Sequence, residues 1–185
     1  LSINGQPIGD HRLDPLYTRF DKRNLYVTHD VTHCIQGGQM AIGIILGNGW
    51  YNHQSTAVWN FDKAKWRDRP RFILNLRIVY ENGSVETIST DHDWKTATGP
   101  IIFNSIYTGE HYDARLEQKG WNTVSFDDSK WIAAREVNAP SANIVSQTVQ
   151  PIRIIEEIPA KSVNKIADTC WVFDLGRTIA GVSKI

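Results

Sequence analysis

The amino-acid sequence predicts an all-β domain of the sandwich or jelly-roll kind, on three observations. Several segments alternate apolar and polar side chains with the strand period of two. Gly, Asn and Pro interrupt the chain at short intervals, and no window carries a sustained apolar stripe at the helical spacing of 3.6 residues. Helices are therefore expected only as short connectors.

Taken in chain order, Asn4-Gly5 is a hairpin-turn signal directly after Leu1, Ser2 and Ile3, so these three are expected to be the tail of a strand and the chain to begin inside a sheet. Residues 25–31 and 40–46 are strand candidates rich in β-branched and aromatic side chains. The clearest alternation lies at residues 72–80, with Phe72, Leu74, Leu76, Ile78 and Tyr80 on one face that should meet a core. Asn82-Gly83 then offers the positive φ angles of a tight turn, and residues 85–90 return as the partner strand. Further candidates are residues 101–107, 131–137 and 152–156. A composition shift around Pro140 and Pro151 divides the chain into a first domain, residues 1–150, and a truncated second one, residues 151–185, too short for a core of its own.

Composition narrows the function. Among 185 residues, 20 basic side chains balance 20 acidic ones, which gives no footprint for neutralising phosphates and makes nucleic acid an unexpected partner. The apolar runs fall far short of the ~20 residues that cross a bilayer, so no membrane helix is expected. Cys34 and Cys170 lack the spacing of a disulfide framework or metal clip and are expected to be free. The six histidines include no His-Glu-x-x-His, so no zinc site is expected; Asp-rich loops can hold calcium through oxygen ligands, but no Asp-x-Asp-x-Asp-Gly loop supports such a site, and no cofactor is assigned. Asp127-Asp128-Ser129 is expected to be a capping turn that leads Trp131 into the core.

The candidate contact residues lie in two places. Gly47-Asn48-Gly49 is a flexible turn expected to hold Trp50 and Tyr51 at a loop tip outside the core, where flat rings with polar edges suit stacking on a sugar and Asn48 could anchor it. Glu110 and Asp113 form a close acidic pair beside Arg115. The acids are three residues apart with no second element to set the ~6.5–9.5 Å separation of an inverting glycosidase, so no catalytic residue is assigned; Arg115 is expected to grip one of them as a bidentate fork.

Leu46-Gly47-Asn48-Gly49-Trp50-Tyr51, the stretch Asp14-Pro15 through Tyr17-Thr18 to Asp21-Lys22-Arg23, Gly109-Glu110-His111-Tyr112-Asp113-Ala114-Arg115, and Pro151 through Glu157 resemble, in order and spacing, the non-catalytic N-terminal region of bacterial α-L-rhamnosidases. The resemblance implies a galactose-binding-like β sandwich to about residue 150, followed by the first strands of a second β domain. It also implies a parent glycoside hydrolase whose catalytic acids sit on an (α/α)6 barrel further along the chain, with that barrel and rhamnose-containing glycans as partners. Three functions follow as expectations: an accessory, substrate-recognising domain; an independent carbohydrate-binding module; and a structural spacer. In each, the chain alone is expected to be inactive.

Overall fold

The computed structural model describes residues 1–56 and 59–184. It is all-β, built from small and mainly antiparallel sheets joined by loops and three-residue 3-10 turns. The chain forms two compact units, one of Leu1–Gly9 with Pro15–Thr148 and one of Asp10–Asp14 with the residues from Val149 onward.

The first unit opens on a hairpin, β1 (Ser2–Ile3) and β2 (Gln6–Pro7), across Asn4 at φ 48° and Gly5 at φ 80°. Positive φ at both central positions is the two-residue turn whose twist matches the strands it joins. On its other edge β1 pairs antiparallel with β5 (Ile42–Gly43), and Ile3, only 4% exposed, is part of the small apolar core. Gly43 has no room for a side chain. A Cβ there would lie 2.6 Å from the Asn122 Cβ and 2.7 Å from the Trp121 ring, so glycine is what lets that loop press against the sheet. Asn122 also donates to the Ser2 hydroxyl at 2.9 Å, and Ser2 donates to the Gly43 carbonyl at 3.3 Å.

The hairpin read from the alternating run is present: β6 (Asn75–Val79) pairs antiparallel with β7 (Val85–Ser89) in continuous register. The turn between them differs from expectation. Only Gly83 has a positive φ, at 82°, while its N–H donates to the Tyr80 carbonyl and the Tyr80 N–H to that of Ser84. That is a type I turn closed by a glycine bulge, with Asn82 instead accepting from the Ser84 N–H at 2.9 Å. The strand is also shorter than the run: Leu76 is buried and Leu74 and Ile78 half-buried, but Phe72 and Tyr80 are exposed. β7 is exposed throughout because, among the described residues, its only strand partner is β6.

The other strand expectations are met only in part. Residues 25–31 supply β4 (Asn24–Tyr26), which pairs in parallel with β12 (Ile144–Ser146), a partner the sequence did not suggest. Residues 101–107 supply β9 (Ile101–Ser105), paired with β10 (Gly109–Tyr112), and residues 131–137 supply only β11 (Ile132–Ala133), paired with β8 (Lys95–Thr96). Ahead of β11, Asp127 accepts from the Ser129 N–H at 3.0 Å, and Trp131 lies half-buried, stacked on Trp121 at 6.3 Å.

In the second unit, β3 (His11–Arg12) pairs antiparallel with β13 (Ile152–Arg153), and Arg153 donates to Asp10 at 2.7 Å. β14 (Ser162–Ala167) and β15 (Cys170–Asp174) form a separate hairpin in which every residue is exposed. Cys34 and Cys170 are both free thiols.

A candidate sugar-recognition hollow

Between β5 and β6 runs a long connection, residues 44–74, whose described part holds one 3-10 turn, Phe61–Lys63. Connections of this length without strands of their own are usually functional loops. This one carries Trp50, Tyr51, Trp59, Phe61 and Trp66. At its start, Asn48 ties the chain down: its N–H donates to the Asn104 side chain at 2.8 Å, its amide nitrogen to the Asn104 carbonyl at 3.0 Å, and its amide oxygen accepts from Asn52 at 2.8 Å. Later in the loop, Asn60 in the left-handed conformation, at φ 55°, starts the turn that presents Phe61.

Tyr17, Trp50, Trp59 and Phe61 line an open, almost wholly apolar hollow of about 520 Å³. Tyr17 and Phe61 are 5.4 Å apart, Trp50 meets Phe61 edge-on at 5.5 Å and Tyr17 at 6.0 Å, and Trp59 leans on Phe61 at 5.8 Å. Edge-to-face packing of this kind fixes ring orientation as well as burying area. Trp59 keeps 67% of its surface exposed and Tyr17 42%. Behind Trp50 lies His53, fully buried, its ring stacked on the indole at 5.7 Å and 10° and met edge-on by Tyr107. His53 Nε2 is 3.2 Å from the Ser55 hydroxyl, and Arg67 donates to the His53 carbonyl at 2.9 Å.

The residues singled out in the sequence fall in different places. Trp50 lines the hollow, but it is half-buried in an aromatic cluster and does not stand free at a loop tip, because Asn48 draws its loop onto β9. Tyr51 is not among the lining residues: it packs edge-on against Phe20 at 5.1 Å beneath the Arg71 guanidinium, and burial pushes its phenol pKa up. Asn48 spends both side-chain atoms on internal bonds, which leaves little for an outside ligand.

Glu110, Asp113 and Arg115 lie elsewhere, at β10 and the 3-10 turn Ala114–Leu116 that follows it. Arg115 grips Asp113 through two side-chain bonds of 2.8 and 2.6 Å while Asp113 also accepts the Arg115 N–H at 3.1 Å. These bonds hold the Asp113 carboxyl below its usual pKa. Glu110 is exposed on β10, opposite Asn104. Sequence reasoning missed Trp59, Phe61 and His53. The one available signal was aromatic density between residues 50 and 66 in a stretch without strand periodicity.

Comparison with known proteins places this geometry in a family. Residues 1–156 match the family described as the alpha-L-rhamnosidase N-terminal domain. The chain belongs to that family. It is 37% identical over 99% of its length to an alpha-L-rhamnosidase of Formosa agariphila, and 36% identical over 97% to one of Streptomyces avermitilis. Among solved structures, that of the Dictyoglumus thermophilum alpha-L-rhamnosidase superposes over 95% of the chain with a TM-score of 0.81 and 40% identity. The structure of the Streptomyces avermitilis enzyme complexed with L-rhamnose superposes over 94% with a TM-score of 0.80 and 34% identity. The chain spans only 19% and 17% of the two relatives' own lengths, and similar shares of the two solved chains.

Proposed function

We propose that this chain is the non-catalytic, substrate-recognising region of an α-L-rhamnosidase, and that its aromatic hollow takes the apolar face of a rhamnose-containing glycan. The observation that carries this reading is the hollow itself. It is open, walled by four aromatic rings and sized for one or two sugar rings, in a chain of the rhamnosidase N-terminal family. The Streptomyces avermitilis relative, solved in complex with L-rhamnose, supports the choice of sugar.

Electrostatics support the non-catalytic part. A glycosidase general acid must stay protonated near neutral pH, which needs a raised carboxyl pKa. The Asp113 carboxyl, of the acidic pair beside Arg115, is instead displaced downward by its hydrogen bonds to Arg115. Under this proposal the first unit is a galactose-binding-like jelly roll ending near residue 150, residues 151–185 open a second β domain, and a catalytic barrel lies elsewhere in the same polypeptide. The hairpin of the second unit favours contact with further polypeptide: strand register puts Val163, Phe173 and Trp171 on one face, and all three are at least half exposed. An isolated two-stranded hairpin is marginal in water without such cover.

The test of inactivity is incubation of the purified chain with an aryl α-L-rhamnoside beside its full-length parent. The expected result is turnover by the parent alone. Turnover that survives repurification and disappears in Glu110→Gln or Asp113→Asn would make the chain an enzyme.

A further inference from the structure

An apolar wall can stack against a sugar but cannot tell one arrangement of hydroxyls from another; that takes polar groups at fixed positions. Among the described residues, three buried side-chain atoms have no hydrogen-bond partner: His53 Nδ1, Asp62 Oδ1 and Trp66 Nε1. All three belong to residues next to the wall of the hollow. His53 is stacked behind Trp50, Asp62 follows Phe61 in its 3-10 turn, and Trp66 packs against the Phe61 ring at 6.3 Å. Buried polar atoms are nearly always paired because leaving one unpaired costs stability, and such exceptions call for an explanation. Here each belongs to a residue that adjoins Trp50 or Phe61, two of the four rings of the hollow.

We propose that His53, Asp62 and Trp66 are the specificity-determining polar groups of the sugar site. The inference rests on the hollow being that site. The chemistry is complementary to a polyol: a sugar hydroxyl can donate to the Asp62 carboxylate and to the His53 imidazole, and another can accept from the Trp66 N–H. These atoms are buried, so binding includes a rearrangement of the wall that uncovers them. Trp59 is the most exposed wall residue. The stability given up by three unpaired atoms is then recovered when the ligand satisfies them, a pattern of local conflict expected at functional sites.

This arrangement makes an unusual demand on variants. A structural role for Asp62 requires that removing its carboxylate lowers stability, whereas an atom held unpaired for a ligand can be removed at no such cost. The experiment is calorimetric titration of the whole chain with L-rhamnose and with L-fucose, which share the methyl group and differ in hydroxyl orientation, beside thermal melts. Wild type, Trp59→Ala, Asp62→Asn and His53→Phe are compared; Phe keeps the stack on Trp50. The expected result is that Asp62→Asn melts at or above wild type, and that both Asp62→Asn and His53→Phe, the latter also losing the Nε2 bond to Ser55, bind L-rhamnose at least tenfold more weakly and lose preference between the two sugars. If wild type binds and Trp59→Ala does not, yet both polar variants bind and discriminate as wild type does, this inference is overturned and the hollow stands. Weaker binding by Asp62→Asn accompanied by a lowered melting point assigns Asp62 a structural role and also overturns it. If wild type binds neither sugar, or Trp59→Ala binds as wild type does, the hollow and this inference fall together.

Discussion

Trp50 and Trp59 both line the hollow but are held very differently, and truncating each should separate binding from folding. Trp50 contacts Tyr17, His53, Phe61 and Tyr107 at ring distances between 5.5 and 6.0 Å and is half-buried. Removing a fully buried Trp costs about 3–5 kcal/mol. With one face of the indole open, Trp50→Ala is expected to cost about 2–3 kcal/mol, and with ~2–4 °C per kcal/mol for a domain of this size the midpoint should fall by roughly 5–10 °C. Trp59, 67% exposed and leaning on Phe61, should cost less than about 1 kcal/mol when cut to Ala. Chemical denaturation of both variants gives the stabilities, and tryptophan fluorescence titrated with L-rhamnose gives the binding. Both variants should lose binding while only Trp50→Ala loses much stability. A Trp59→Ala midpoint as low as that of Trp50→Ala would refute the division into a supporting ring and a presenting ring.

Three further outcomes follow from the geometry. Gly43→Ala forces a Cβ to within 2.6–2.9 Å of Asn122 and Trp121 and is expected to cost about 1–3 kcal/mol by overpacking, measured as a lower denaturation midpoint; an unchanged midpoint would show that the 122 loop does not press on β5. Gly83→Ala, at φ 82° with nothing near the added methyl, should cost about 1–2 kcal/mol through backbone strain alone, and amide exchange should quicken first in β6 and β7. Asp113 has a folded pKa below its unfolded one, so its contribution is complete above the ordinary carboxylate range near pH 4 and is lost as pH falls through the lower folded value. The melting-point gap between wild type and Asp113→Asn should therefore be constant from pH 7 to about 5 and close below that; a gap that widens in acid would contradict the sign.

What could be read from the sequence depended on whether the information was local. The β6–β7 hairpin was legible because alternation and turn chemistry sit within twenty residues and agree. Its turn type was not, since Glu81-Asn82-Gly83 suits either a two-residue turn or a type I turn with a glycine bulge, and the ladder decides between them. Most other strands came out shorter than their apolar runs because strand length is set by available partners. Among the described residues, 40–46 pair only with β1, and that pairing covers Ile42 and Gly43. The parallel pairing of β4 with β12 joins residues more than a hundred positions apart, and no local pattern carries it. For the same reason the hollow was only half legible: Trp50 stood out after its glycine turn, but its neighbours Tyr17 and Tyr107 arrive from distant segments. Sequence alone offers Asn48 as a polar anchor beside Trp50 and Tyr51, while its actual bonds to Asn104 depend on tertiary structure.

The most direct test of the account is a ¹H–¹⁵N correlation spectrum of the ¹⁵N-labelled chain, recorded as L-rhamnose is added and following the tryptophan indole and backbone amide signals. Rhamnose recognition at the hollow requires saturable shifts at the Trp50 and Trp59 indoles and along the Phe61–Lys63 turn, with β14 and β15 unchanged and the sugar recovered intact. Shifts confined to β14 and β15, or none that saturate at any site, would contradict it.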